Sequence, residues 1–389
     1  MMLKTPVAMI GVGKLGQSCA EVMAESYPVV GYDVAPRNPR NFNMVKTVEQ
    51  AVTFADIIFI AAPTPHDPAY DGRYPTAHLP NKDFDYTIVK GILAEVNKYC
   101  DRSKLVVLIS TVLPGTVRRE LEPLISNARF VYNPYLIAMG TVTEDFLAPD
   151  IMMLGFQSWP HPDYKTKADK LIEFYKTVQT KREPHTTLGT WEEAECIKIF
   201  HNTYISAKVG IANMIQDVTM KIGHSNPSVV AESLRHADRI VSEKYMEPGM
   251  GDGGPCHPRD NIALSWLAEK IDLGYDLFKS IMQAREIQAQ NVAKELIRHN
   301  LPVHILGKSF KPETNLTDGS TSMLVGHYVE QAGHKVVYDN VSVGPAVYLL
   351  AHPVDYSSVN FAEGSVIVDM YRKYQTHWDK IKVIHYGVR

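Results

Sequence analysis

The feature that most constrains this chain is the run Gly11-Val12-Gly13-Lys14-Leu15-Gly16, set between a strand and a helix. Pro6 to Ile10 is an apolar stretch of strand length, and Leu15 to Ser26 carries apolar residues at helical spacing. Glycines in this arrangement allow a tight turn, close backbone approach to a pyrophosphate and close helix–strand packing. The free N–H groups of the helix N-terminus then face the phosphates. A second strand, Pro28 to Tyr32, ends at Asp33, 17 residues after Gly16, where a carboxylate binds both ribose hydroxyls. The bare glycine pattern is weak; with strand, helix and acid all in place it specifies a dinucleotide-binding βαβ unit. Asp33 repels a 2′-phosphate, which favours NAD over NADP, while Arg37 and Arg40 are close enough in sequence to weigh the other way.

The alternation continues. Ile57–Ala62, Leu105–Ser110, Phe130–Tyr132 and Ile151–Gly155 read as strands, with helices over Val48–Phe54 and Asp85–Cys100. Strands alternating with helices predict a parallel, doubly wound sheet. From Trp191 to Ile222 the chain has no proline and reads as one long helix, followed by helical stretches at Ser228–Tyr245 and Asn261–Arg298, the latter interrupted near Gly274. Val303–Leu306, Lys335–Tyr338 and Ser365–Val368 look like strands of another α/β unit, with a helix over Ser322–Ala332. The expected fold class is therefore α/β: an N-terminal Rossmann-type doubly wound sheet over 1–188, a central helical domain over 189–298, and a smaller C-terminal α/β domain over 299–389. The long helix has more apolar face than one lobe covers, which predicts a homodimer or higher homo-oligomer.

Composition narrows the function class. The 389 residues carry a net charge of -3, which gives no sign of a protein that coats nucleic acid or an anionic membrane. No apolar run approaches the roughly 18 residues that span a bilayer. The N-terminal apolar stretch runs directly into the glycine turn, unlike a signal peptide. Cys19, Cys100, Cys196 and Cys256 are widely scattered, as free thiols of a reducing compartment would be. The expectation is a cytoplasmic enzyme with no nucleic-acid or membrane partner and no metal, because Cys and His show no metal-ligand spacing.

Three further constellations carry chemistry. Lys198 and Asn202 lie four apart on the long helix, hence on one face. Such a pair polarises a carbonyl and stabilises an oxyanion in a dry site, although either residue alone is ordinarily solvated. Pro248 to Asp260 holds Gly249, Gly251, Gly253 and Gly254 ahead of Cys256. So many glycines cost backbone entropy and mark close approach to a ligand. A cysteine at the end of such a loop, ahead of a helix, suits an activated thiolate, with Asp260 as base or orienter; a buried, inert thiol is the plain alternative. Pro63-Thr64, Ser110-Thr111 and Asn133-Pro134 follow strands of the first lobe, at the edge where open α/β sheets bind ligands.

In this order, the motifs resemble the UDP-glucose/GDP-mannose dehydrogenase family across nearly the whole chain. The resemblance rests on the fingerprint at Gly11–Gly16, the Pro63-Thr64-Pro65 turn, Ser110–Thr116, and Ala194-Glu195-Cys196-Ile197-Lys198 with Asn202. It includes the Gly253-Gly254-Pro255-Cys256-His257-Pro258-Arg259-Asp260 block and Gly307 to Thr314. It implies two successive oxidations of a nucleotide sugar's primary alcohol by NAD, UDP-glucose to UDP-glucuronate being the leading expectation. A thioester on Cys256 would be hydrolysed to a carboxylate. Lys198 and Asn202 would stabilise oxyanions, and Asp260 and Thr111 would handle protons and water. Asn133, Tyr135, Tyr245, Gly249, Gly253, Phe310 and Lys311 would hold the substrate, and the central domain would pair two subunits.

The chain also departs from the family pattern. Tyr135 and Met139 stand where NPEFLxEG has glutamates, Arg259 replaces a lysine, Asp318 stands where arginine is expected, and the DxR element reads Asp369-Met370-Tyr371 with Arg372 one place late. The missing glutamates predict slow thioester hydrolysis or a pocket reshaped for another sugar. They also leave room for a catalytically silent binding protein, and Lys198 with Asn202 alone would suit a two-electron β-hydroxyacid-type dehydrogenase.

Overall fold

The computed structural model describes residues 5–65, 79–80, 82–138, 140–241, 248–251, 254, 257–312, 314–375 and 380–388. Its elements fall into two compact units, 1–208 and 209–389. In the first, β1 (Val7–Ile10), β4 (Ile57–Ile60) and β5 (Leu105–Leu108) are buried along their whole length. Such strands are unbroken apolar runs because both faces of a parallel sheet are covered by helices. Around them stand β2 (Val29–Tyr32), β3 (Asn43–Met44), β6 (Arg129–Tyr132), β7 (Ile151–Phe156) and β8 (His185–Thr190). The order is β3-β2-β1-β4-β5-β6-β7-β8. Val7 and Met9 pack with Cys19 and Met23 of α1 (Lys14–Ala24) and Phe174 of α5 (Pro162–Val178). Ala8 and Ile10 face the other way, onto Val52 of α2 (Val48–Phe54) and Leu93 of α3 (Thr87–Tyr99).

Strand β1 pairs in parallel with β2 on one side and β4 on the other. The chain direction across the sheet therefore reverses between β1 and β4, and a crevice opens at their carboxyl ends. The sheet is not parallel throughout: β7 runs antiparallel to β6, and β8 is parallel to β7. α4 (Val142–Leu147), α5 and β8 lie outside the elements expected from the sequence. α5 buries Ala168, Leu171, Tyr175 and Val178, a 3–4 spacing that was present in the sequence among its lysines and acids, while β8 reads His-Thr-Thr-Leu-Gly-Thr, too polar to stand out as a strand.

α6 (Trp191–Ile222) is the expected unbroken helix of 32 residues, and the first unit ends within it. The second unit holds α7 (Pro227–Arg235), α8 (Asp238–Val241), α9 (His257–Lys270) and α10 (Leu277–Ile297). The helix expected over 228–245 is thus two shorter ones as far as the described residues run. The interruption expected near Gly274 is present, with Gly274 at φ +86° and Asp276 capping α10 through Lys279 N–H.

The C-terminal sheet is parallel, in the order β10-β9-β11-β12-β13. Its strands are β9 (Val303–Leu306), β10 (Val336–Tyr338), β11 (Val347–Leu350), β12 (Val366–Asp369) and β13 (Lys382–His385). α10 and α11 (Thr321–Gln331) cover one face through Val292, Leu296, Val325 and Val329. β11 and β13 add to the three strands legible in sequence; β13 reads Lys-Val-Ile-His, with only two apolar residues to mark it.

Candidate active site

The chain leaves β1 at Gly11 with φ +94°, and a Cβ there would lie 2.5 Å from the Ala61 carbonyl oxygen. A Cβ on Gly16 would lie 1.9 Å from the Gly11 oxygen, so this glycine lets α1 press onto the turn. Gly13 is different. Nothing lies within 4 Å of its Cβ position, and α1 begins on it with no side-chain cap and no acid in its first turn. Two glycines close the turn and the third leaves room beside uncapped N–H groups, a cradle for phosphate oxygens.

Asp33 is tied into the same turn. One carboxylate oxygen accepts the Val12 N–H at 2.8 Å; the other accepts the Ala35 N–H at 2.8 Å and the Arg37 guanidinium at 3.4 Å. Arg40 is committed elsewhere, to the buried Glu21 at 2.6 Å. Burial pushes the Glu21 carboxyl up, but the bonds from Gln17 and Arg40 outweigh it and hold the group below the usual carboxylate range. Both arginines near the ribose position are thus paired with carboxylates.

A cavity of about 730 Å³ runs from Gly13 and Asp33 past Pro63, Thr64 and Thr111 to Lys198, within the range of small-molecule sites. Lys14 and Leu15 also line it, and Thr64 donates its hydroxyl to the Thr111 carbonyl at 2.7 Å. One wall was not anticipated: Ile88, Gly91, Ile92 and Glu95 of α3. Their i, i+3, i+4, i+7 spacing was the available signal, readable equally as a core face. The glycine cradle, the acid at the second strand and the long cavity between them fit a dinucleotide.

Lys198, half-buried, reaches the far end of the cavity and donates to the Tyr135 carbonyl oxygen at 2.7 Å. Burial holds its ammonium below the usual lysine range. Asn202, one turn on, is exposed on the first unit. Glu195, in the same helix and fully buried, accepts the Gly115 N–H at 2.6 Å and the Val117 N–H at 2.7 Å. It fastens the segment after Thr111 to α6, a role that sequence reading missed. Its signal was an acid on the buried face of an amphipathic helix.

The Asn133 side chain turns inward, donating to the Met153 carbonyl at 2.8 Å and accepting from the Tyr175 hydroxyl at 2.5 Å. The Tyr135 hydroxyl bonds that of Tyr175 at 2.8 Å, its ring packs against Phe146, and burial drives its phenol well above the ordinary range. What Tyr135 presents toward Lys198 is its carbonyl. In the second unit, the Phe310 ring lies against Gly254, and the Lys311 ammonium lies 5.6 Å from that ring's centre. Gly249 lies against Tyr371. Asp260 is placed as backbone in α9. Cys256, Tyr245, Gly253 and Met139 lie outside the described residues. Among the described residues, no group of three His, Cys, Asp or Glu could hold a metal ion, and no helix is long and apolar enough to cross a membrane.

Residues 34–179 match the NAD binding domain of the UDP-glucose/GDP-mannose dehydrogenase family, and residues 192–287 match its central domain. Among similar proteins, UDP-glucose 6-dehydrogenase TuaD of Bacillus subtilis is 25% identical over 321 residues, covering 79% of this chain and 64% of its own length. GDP-mannose 6-dehydrogenase of Pseudomonas aeruginosa is 26% identical over 349 residues, covering 79% of this chain and 75% of its own length. This chain thus spans just under two thirds of the first relative and three quarters of the second. The solved GDP-mannose dehydrogenase from Pseudomonas aeruginosa superposes with a TM-score of 0.80 at 21% identity, over 97% of this chain and 99% of that one, a likeness of fold. Two domain models of one family, matched in order, settle the relationship: the chain belongs to the UDP-glucose/GDP-mannose dehydrogenase family and carries its NAD binding and central domains.

Proposed function

We propose that this chain oxidises the primary alcohol of a nucleotide sugar to a carboxylate, with UDP-glucose to UDP-glucuronate as the first reaction to test and GDP-mannose as the second. The observation that carries the reading is Lys198, held by the Tyr135 carbonyl at the end of a cavity that begins in the glycine cradle. NAD bound in that cavity supplies the hydride acceptor. Gly11, Gly13, Gly16 and Asp33 hold it, with Pro63, Thr64 and Thr111 beside it. Lys198 and Asn202 stabilise negative charge on the substrate oxygen. The Cys256 thiolate would add to the aldehyde left by the first oxidation, giving a thiohemiacetal. Loss of a second hydride to a second NAD would convert this to a thioester, which keeps the substrate bound until water displaces the sulfur as the carboxylate forms. Asp260 and Thr111 manage the proton and the water. The reading assigns residues 1–188 to the cofactor, 189–298 to the helices that bear the nucleophile, and 299–389 to the substrate nucleotide.

We place a second copy of the chain on the central helices. Phe200, Val229, Ile262 and Trp266 are each about 60% exposed, a burden of apolar surface that association would relieve. Light scattering at micromolar concentration is expected to give twice 43.6 kDa or a multiple of it. For the reaction, the decisive test is a panel of UDP-glucose, GDP-mannose and UDP-N-acetylmannosamine with NAD, scored for NADH and carboxylate. The reading requires carboxylate from one of them. No NADH with any of the three would overturn it.

A further inference from the structure

The described arginines of the first unit fall into two groups. Arg37, Arg40, Arg118, Arg119 and Arg182 each meet a carboxylate. Arg102 and Arg129 do not: among the described residues, neither guanidinium has an ion pair, a hydrogen bond or a ring contact. Both line one cavity of about 390 Å³, within the range of small-molecule sites. Arg129 opens β6 and Arg102 lies in the turn before β5, so the cavity stands at the amino ends of these strands, the edge opposite the cofactor crevice. It shares no lining residue with the cofactor cavity. Its walls add a third cation and aromatic rings. Lys167 of α5 is buried, with its ammonium 4.2 Å from the centre of the Tyr164 ring. Trp191, the first residue of α6, packs edge-on to Phe130 at 5.8 Å, and its indole N–H is buried without a hydrogen-bond partner. The carboxylate on the lining is that of Glu122, which accepts from the Gln157 amide, while Gln157 accepts from the Tyr164 hydroxyl at 2.8 Å.

We propose that this cavity is a second ligand site of the first lobe, taking a small phosphate monoester such as a sugar phosphate. Among the described lining residues, three cations stand against one acid, and an unmet indole donor lies in the wall, so the cavity favours an anion. A guanidinium offers paired N–H donors in a planar fork that matches two phosphate oxygens, and two unpaired forks suit a group with three free oxygens. The space exceeds that of phosphate alone, and Ser126 and Gln157 on the lining are partners of the kind that sugar hydroxyls take. Nothing in this reading depends on the reaction proposed above.

The test is isothermal titration calorimetry on NAD-saturated protein, so that the glycine cradle is already filled, with glucose 6-phosphate, inorganic phosphate and acetate as probes. Glucose 6-phosphate should bind one to one, at least about tenfold more tightly than acetate, because a lone carboxylate cannot engage both forks. Arg102→Ala and Arg129→Ala should each weaken it about tenfold or more, and the variant carrying both should abolish it. Arg129→Lys should recover only part of the loss, since lysine keeps the charge without the fork. Both arginines are exposed, so these variants should keep the parental Tm and NAD affinity. Inorganic phosphate bound as tightly as the ester, and lost in the same variants, would support the site with the free ion as its occupant; weaker inorganic phosphate would support the ester. Parental binding heat in the variant lacking both arginines would place the phosphate elsewhere and overturn the proposal. So would the absence of saturable binding by either phosphate up to about 10 mM.

Discussion

Replacing Glu195 with glutamine is a sharp probe of how the first lobe holds its active-site edge. The carboxylate accepts two backbone N–H groups, at 2.6 and 2.7 Å, in a fully buried position. Hydrogen bonds to charged groups contribute about 1.5–3 kcal/mol each. Glutamine keeps one acceptor and turns an amide N–H2 toward the other donor, so one bond is lost and one buried N–H is stranded. The expected cost is about 2–3 kcal/mol. In a unit of roughly 200 residues, about 2–4 °C of Tm corresponds to each kcal/mol, giving a fall of about 4–12 °C. Glu195→Ala strands both donors and should fall further. Because the fastened segment follows Thr111 on the cavity wall, NAD affinity should weaken alongside. Calorimetry with and without NAD measures both effects. A Tm within 1 °C of the parent would show that Gly115 and Val117 find other acceptors, and that Glu195 does not hold this edge.

Asp33→Asn should weaken NAD at least tenfold and narrow the preference over NADP, read from kcat/KM for both cofactors, since a charged bond is worth about 1.5–3 kcal/mol. Equal values for NAD and NADP in the parent would contradict the placement of Asp33. Lys198→Met should lower kcat by about 10²–10³, the usual loss of an oxyanion donor, at little change in Tm. In the parent, kcat should decline on the alkaline side below the ordinary lysine range, because burial lowers the Lys198 pKa and only the ammonium stabilises an oxyanion. A flat profile there would remove Lys198 from the chemistry. Tyr135→Glu should destabilise the fold and leave hydrolysis no faster, because position 135 points into an aromatic core beside Phe146 and Tyr175 rather than toward water. Faster turnover in that variant would show that the side chain can face the site.

How much of this was legible in sequence follows from how local each determinant is. The cradle was, because the turn, the helix start and Asp33 are set by neighbours along the chain; the structure adds that Gly13 alone of the three glycines leaves space. Lys198 was legible as a helical position, but its grip on the Tyr135 carbonyl joins residues 63 apart in sequence. Tyr135 shows the limit most clearly. Substitution of a family glutamate suggests a reshaped pocket or a lost base, yet the side chain has turned inward to build a tyrosine pair with Tyr175, a partner that no spacing reveals. The doubts over Arg37 and Arg40 likewise needed coordinates, since Glu21 lies 19 residues from the arginine it binds. β8 escaped because its residues are mostly polar, whereas α5 carried the 3–4 spacing of Ala168, Leu171, Tyr175 and Val178 and was readable.

The central claim, a cysteine-borne double oxidation on an NAD-binding scaffold, is tested most directly by counting NADH against product in a rapid-quench experiment, with intact mass taken at each time. The account predicts a burst approaching two NADH per active site, an acyl adduct on Cys256 during the slow phase, and two NADH for every carboxylate released. Cys256→Ala should give no sustained carboxylate. One NADH per product, with Cys256→Ala turning over like the parent, would contradict it and leave a two-electron dehydrogenase built on Lys198 and Asn202.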